Sequence, residues 1–417
     1  MKKFKFTFLV LAVASLFIVS RFYIWKYWPT NYSDVRTDYE RYARMWHYGL
    51  KPYTHHQYEY PPLTIPILFL PLKYEHWGVN YYHNYRFLVL VTDIAFFSFF
   101  ALTVNKLFKK EQGKKLAVLG SYIFFTTLAK DFFYEGLDLM FISSFLMSLL
   151  LPVWLDSKKL GSKILIWTFF WMSTAIKFLT LPLMIPLFLI NYSHWKKDLA
   201  AMMIGFFIIW VIPLYIFRST LLLPFTLGFD RPMKYSSFPS YIVQVIGSQT
   251  ETETHSSLPP DFAYYGPVSE KVNQVFGVLF PLSLAIFLGW SGRLIIKNKL
   301  YSKSEKLLPM LRFTGIYLFT LFFFAKIFSQ PFHIWYMAPL ALYPVLAKKK
   351  LYLLIWLLAS IMIINDMTPW FYLPSGKTLN IPNYLWGYLL KFIPMALVYG
   401  YFLRPLKLPP TDKHKSK

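Results

Sequence analysis

The chain has no cysteine at all, and it is poor in charge, above all in acids. Without cysteine there is no disulfide framework, no zinc–thiolate site, no iron–sulfur cluster and no cysteine nucleophile. Only 15% of the 417 residues are charged, against about 25% in a soluble domain. The two or three soluble domains that the length alone would indicate are therefore set aside. Acids number 20 against 44 Lys and Arg, a net charge of +24. The surplus does not make a nucleic-acid binder, because the basic residues sit in short clusters between long apolar runs and not on one polar domain. Disorder is excluded too, since a chain that is 56% hydrophobic and 21% aromatic collapses. What remains is a polytopic membrane protein.

A bilayer span needs about 20 mostly apolar residues. Phe6–Tyr23 follows three lysines and resembles a secretory signal, but Arg21 and aromatics follow the apolar run, so it reads as an uncleaved first helix. Further spans are Tyr85–Val104, Leu116–Phe133, Leu137–Leu155, Leu199–Phe217, Val275–Ile296, Leu308–Ile327, Ile334–Ala347, Leu351–Ile364 and Leu385–Phe402. Ile164–Ile190 is too long for one helix and too short for two. Lys177, Pro182 and Pro186 interrupt it, and it reads as a broken hairpin. The total is about twelve crossings. Residues 1–403 then form one integral membrane domain, followed by a basic tail, 404–417. No internal repeat of the transporter kind is present.

Orientation follows from Lys and Arg in short loops. One side collects 26 of the 44 basic residues and both termini, which makes it cytoplasmic. The other side collects 14 of the 20 acids. Two outer segments are long, Trp28–Asn84 and Arg218–Gln274, and long loops are uncommon unless they do something. In the first, Tyr39–Gly49 suits a helix on the membrane, while apolar Pro61–Leu72 is too short to cross and dips into the interface. In the second, Thr250–Ser257 is polar and is expected to be mobile. Asp93, in the second span with Arg86 near its outer end, reads as a buried structural group.

The first outer segment carries the chemistry. It reads Thr37-Asp38-Tyr39-Glu40-Arg41-Tyr42, then Gly49-Leu50-Lys51-Pro52-Tyr53, then Glu59-Tyr60-Pro61-Pro62-Leu63. Later come Gly136-Leu137-Asp138 at the head of a span, Ala175-Ile176-Lys177 with Pro182, and Ser329-Gln330-Pro331-Phe332-His333-Ile334-Trp335 with Pro339. In this order the segments resemble the GT-C superfamily of membrane glycosyltransferases. They are most similar to the bacterial polyprenol-phosphate-mannose-dependent mannosyltransferases, glycosyltransferase family 87. The likeness runs from about Asp38 to Pro339; Gln330-Pro331 is inverted relative to the family's usual order, and Phe332 stands where Tyr is common.

The resemblance implies an all-α, GT-C-type polytopic fold and an inverting hexose transfer, mannose above others, from a polyprenyl-phosphate donor at the outer face of the bacterial cytoplasmic membrane. The acceptor is a lipid or glycan hydroxyl, and no cofactor, metal or nucleic acid is involved. A sugar hydroxyl is a poor nucleophile and needs a base; Asp38 stands at the family's base position, with Asp34 as a second candidate. Charge on the departing phosphate calls for cations, for which Lys177 and His333 are candidates, as are Arg41 and Arg44. Glu59, Asp34 and Asp138 shape the sugar sites, with Gln330 and Trp335 among the substrate-binding residues. Blander readings stand beside these: a solvated loop carboxylate for Asp38 and Asp34, loop ordering by Glu59, a helix start for Asp138, a snorkelling Lys177, and an interfacial belt for Tyr23, Trp25, Tyr27 and Trp28. Adjacent His55 and His56 with Glu59 fall short of a metal site.

Rival readings are a lipid-linked-sugar transporter or flippase, a glycan polymerase or ligase working on a lipid pyrophosphate, and a scaffold. The few intramembrane ions (Asp93, Lys177, Lys326, Lys391) argue against transport. Arg218 and Arg231, flanking the second long loop, keep the polymerase reading open.

Overall fold

Apolar runs free of turn residues become helices along the whole chain. The structure, a computed structural model, describes residues 2–26, 33–75, 80–230, 233–234, 236–246, 252–255, 261–264, 266–300, 306–348, 351–367 and 381–405. The N-terminal helix is α1 (Lys2–Lys26). A π-helical turn, Val35–Tyr39, runs directly into α2 (Glu40–His47), and α3 is Thr64–Lys73. Then follow α4 (Tyr81–Leu107), α5 (Gln112–Leu128), α6 (Asp138–Leu150) and α7 (Leu160–Ile176). A 3-10 stretch, Phe178–Leu183, leads into α8 (Met184–Ile190), and α9 (Trp195–Phe217) comes next. The second long loop holds α10 (Leu223–Asp230), strand β1 (Met233–Lys234), α11 (Phe238–Ile246) and strands β2 (Thr252–His255) and β3 (Asp261–Tyr264). The chain closes with α12 (Pro267–Lys297), α13 (Leu307–Phe324), α14 (His333–Leu346), α15 (Tyr352–Met367) and α16 (Ile381–Leu403).

Four helical stretches among the described residues are long and apolar enough to cross a membrane: Tyr81–Leu107, Tyr192–Leu227, Pro267–Lys297 and Leu307–Phe324. The long helices alternate in direction between two ends of a bundle. Contacts fix the sense of each pair. Phe17 stacks on Phe97 and Arg21 meets Asp93, so α1 and α4 are antiparallel. Phe145 meets Phe170 and Asp138 meets Lys177, so α6 and α7 are antiparallel. By contrast α7 and α9 run parallel, with Lys163 on Asp198 and Trp171 on Phe206. Gly205 lets them touch, because a Cβ there would lie 2.9 Å from the Thr168 nitrogen. The chain returns between them through 178–190.

That return is the expected broken hairpin, and its cause is local. Lys177 is extended, with φ −146° and ψ 126°, and Pro182 and Pro186 supply no N–H to a helical ladder. Three expectations are modified. The helix expected over Leu116–Phe133 spans Gln112–Leu128 and gives way to successive turns before Asp138. The fold is not purely helical: β1, β3 and β2 form a small antiparallel sheet in the second loop. Within Thr250–Ser257, expected to be mobile, 252–255 is strand β2 paired with β3; 250–251 and 256–257 lie outside the described residues, as do Tyr27, Trp28, Arg231 and 406–417. Helix α3 has 10 residues, about 15 Å, too short to cross a bilayer.

Two buried ion pairs tie the first helices together. Arg21 donates to both oxygens of Asp93 at 2.7 and 3.1 Å and to Thr126 at 2.8 Å, and Tyr134 donates to Asp93 at 3.0 Å. Asp93 is therefore a buried structural group, but its partner is Arg21. Arg86 lies 3.1 Å from Glu135 and donates to the Ile24 carbonyl.

Candidate functional site

Helices α6, α7 and α14 have 13, 17 and 14 residues. At about 1.5 Å per residue they fall short of the roughly 30 Å of a bilayer core. All three place a terminus at one level of the bundle, where Asp138, Lys177 and His333 stand. Neighbouring α9 goes further: Phe178 stacks on Trp210, and α9 runs on to Phe217, about 10 Å beyond. Asp138 and Lys177 thus form the floor of a recess.

Asp138 accepts from Lys177 Nζ at 2.6 Å and from Trp335 Nε1 at 2.6 Å, both on Oδ1. Lys177 also lies over the rings of Phe332 and Trp335, 5.3 and 5.2 Å from their centroids. These cation–π contacts hold a cation where bulk water is scarce. Gly136 is required here, because a Cβ would sit 2.9 Å from Asp138 Oδ2. The Pro-Pro segment closes the wall. The Leu63 N–H donates to the Ala175 carbonyl at 3.1 Å, satisfying an acceptor that the break at Lys177 leaves unpaired. Tyr58 meets Thr64 at 2.5 Å, and Tyr53 donates to the Tyr60 carbonyl at 2.6 Å. Glu59, half-buried, sits between these anchored tyrosines.

The π-helical turn carries Asp34 and Asp38 above the floor. It is fastened through Ser33, which donates to Glu135 at 2.5 Å; Glu135 also accepts from Tyr82 at 2.7 Å. Asp38 is half-buried and accepts from Arg41 Nη2 at 2.7 Å. Asp34 is open to solvent at its surface but ringed by protein, as befits a group on the wall of a recess. Loss of hydration pushes its carboxyl up to about 6; the Lys234 ammonium opposes this, the Asp38 and Asp138 carboxylates add to it, and Lys177 again opposes. Lys234 comes from β1, so the second long loop folds back over the recess.

The sign of a stability effect follows. A carboxyl whose pKa is raised on folding favours the fold below its unfolded pKa, near 4, and that benefit is lost as pH rises through about 6. Asp34→Asn is therefore expected to raise the melting temperature in detergent at pH 8 and to leave it unchanged at pH 4. An equal shift at both pH values would contradict this.

Of the residues singled out in the sequence, Asp138, Lys177 and Trp335 meet directly, and Asp34 and Asp38 stand within electrostatic reach of one another. Gln330 and His333 do not join them. Gln330 donates to the Asp366 carbonyl at 2.8 Å. His333 is fully buried; Nε2 lies 2.7 Å from Asp366 and Nδ1 2.6 Å from the Tyr336 hydroxyl. Lys391 completes that cluster, 2.8 Å from Asp366 and donating to the Ser236 carbonyl at 2.9 Å. Arg44 is shared between Glu40 and Glu75. His55 and His56 accept hydrogen bonds from the Lys51 N–H and Trp46 Nε1. Ser33, Glu135, Lys234 and Asp366 escaped the sequence reading: each acts through a partner far along the chain, and nothing in its local pattern marks it.

No family model, curated protein or solved structure matches the chain. The reading of the site rests on its own geometry.

Proposed function

We propose that the protein is a GT-C-type glycosyltransferase that moves a hexose, mannose first among candidates, from a polyprenyl monophosphate to a lipid or glycan hydroxyl with inversion. One observation carries the reading. Four separate stretches, Asp34–Asp38, Pro61–Leu63, Asp138 and Lys177, with Trp335 from a fifth, converge on one recess that joins carboxylates, a cation and aromatic faces. In this reading the chain crosses the bacterial cytoplasmic membrane twelve times, with both termini inside and the recess facing out. The alternating helices and the short helices beneath the recess support it.

The chemistry follows from these positions. Asp38 takes the proton of the acceptor hydroxyl as that oxygen attacks the anomeric carbon, and the bond from that carbon to the phosphate oxygen breaks. The transition state is oxocarbenium-like, and the leaving phosphate gains negative charge. An ammonium has three N–H donors, so the bond from Lys177 to Asp138 aims the group and leaves capacity for the phosphate. Asp34 tunes Asp38 as a nearby carboxylate. His333, with Asp366 and Lys391, orients the start of α14 and hence Trp335. The remaining buried ions, Arg21–Asp93 and Lys163–Asp198, are paired inside packed interfaces, which suits an enzyme better than an ion or solute pathway.

The test uses purified protein in nanodiscs with radiolabelled polyprenyl-phosphate mannose and a mannoside acceptor. Lys177→Met is expected to raise KM for the donor by about tenfold or more while KM for the acceptor stays near wild type, since charge-assisted hydrogen bonds are worth about 1.5–3 kcal/mol. Equal donor kinetics in the two proteins would remove Lys177 from the phosphate.

A further inference from the structure

On the water side of the π-helical turn and α2 lies an open hollow of about 440 Å³, lined by Arg36, Glu40, Arg41, Arg44, Met45, Tyr48 and Leu50. Such a volume lies in the range of small-ligand sites, roughly 300–1,000 Å³. We infer that this hollow is a saccharide-binding subsite, and that the acceptor presented to Asp38 is a glycan and not a simple lipid alcohol. The acceptor role rests on the transferase reading; the saccharide site does not.

Three features carry the inference. First, Tyr48 is 80% exposed, and its one printed ring contact is edge-to-face with His47, centroids 5.5 Å apart. A large exposed ring with a polar tip is costly unless it covers something amphipathic, and the C–H face of a sugar fits it. Leu50, 40% exposed, continues the apolar strip. Second, the polar lining is planar and already paired. Arg41 donates to Asp38 at 2.7 Å, Arg44 to Glu40 at 2.6 Å and to Glu75 at 2.9 Å, and Arg36 lies over the Tyr82 ring at 4.2 Å. Rigid guanidinium–carboxylate forks present donors and acceptors side by side, which is what vicinal hydroxyls require. A polyanion would need uncompensated positive charge, whereas here the carboxylates offset the arginines. Third, Arg41 both lines the hollow and holds Asp38, so a sugar bound there sets a hydroxyl beside the base.

The test is direct binding to the full-length protein in detergent, read by saturation-transfer NMR. The probes are α-1,6-mannobiose, cellobiose and a glycerol phosphate oligomer. A disaccharide is expected to bind with saturation on its ring C–H protons, and Tyr48→Ala is expected to weaken it about tenfold. Tyr48→Phe, which keeps the ring, is expected to stay within about twofold. Absence of disaccharide binding, equal affinity in Tyr48→Ala, or preferential binding of the glycerol phosphate oligomer would each overturn the inference. Tyr48-dependent disaccharide binding without sugar transfer would keep the subsite and discard the transferase.

Discussion

Asp38→Asn is expected to lower the single-turnover rate of sugar transfer by about 10²–10⁴-fold, the usual worth of a positioned general base. The substitution keeps size and an oxygen that accepts from Arg41, so loss of basicity is isolated from loss of shape. Donor binding should survive, because the phosphate contacts assigned to Lys177 lie on the floor of the recess and not on the π-helical turn. A rate that holds in Asp38→Asn but collapses in Asp34→Asn would transfer the base to Asp34. That alternative has a pH signature: a base with a carboxyl near 6 loses activity as pH falls through 6, since only its ionised form accepts a proton.

Asp93→Ala is expected to cost about 3–5 kcal/mol, the penalty for leaving one member of a buried ion pair alone. Arg21 and Asp93 are both buried, and Thr126 and Tyr134 are bonded into the same cluster. The lysates should show little folded variant, and the surviving fraction should melt far below wild type in detergent. Arg21→Met combined with Asp93→Leu is expected to recover most of the loss, because replacing both partners removes the unpaired charge. A double variant no better than Asp93→Ala would mean that the cluster carries more than charge balance.

How much of this was legible in the sequence varies with the range of the interaction. The break at Lys177 was legible, since a lysine and two prolines cannot continue an apolar helix. So was the short α3, since length alone decides crossing. The helical start at Asp138 was legible as a carboxylate ahead of an apolar run. The bond from Trp335 to Asp138 was not, because 197 positions separate them. Asp93 was legible as structural but not as the partner of Arg21, because composition does not set the register between two helices. His333 looked like an outer-loop cation; its burial follows from Asp366 and Lys391, on helices that no local pattern links to it. Lys234 was invisible for the same reason: β1 is two residues long and is placed by β3.

The central claim is that the recess takes a sugar from a polyprenyl monophosphate. The most direct measurement offers the purified protein, in nanodiscs with an oligomannoside acceptor, two labelled donors in parallel: polyprenyl-phosphate mannose and a polyprenyl-pyrophosphate oligosaccharide. The account predicts one labelled hexose on the acceptor from the monophosphate, with inverted anomeric configuration, and none from the pyrophosphate. Label arriving only from the pyrophosphate donor, or from neither, would contradict it.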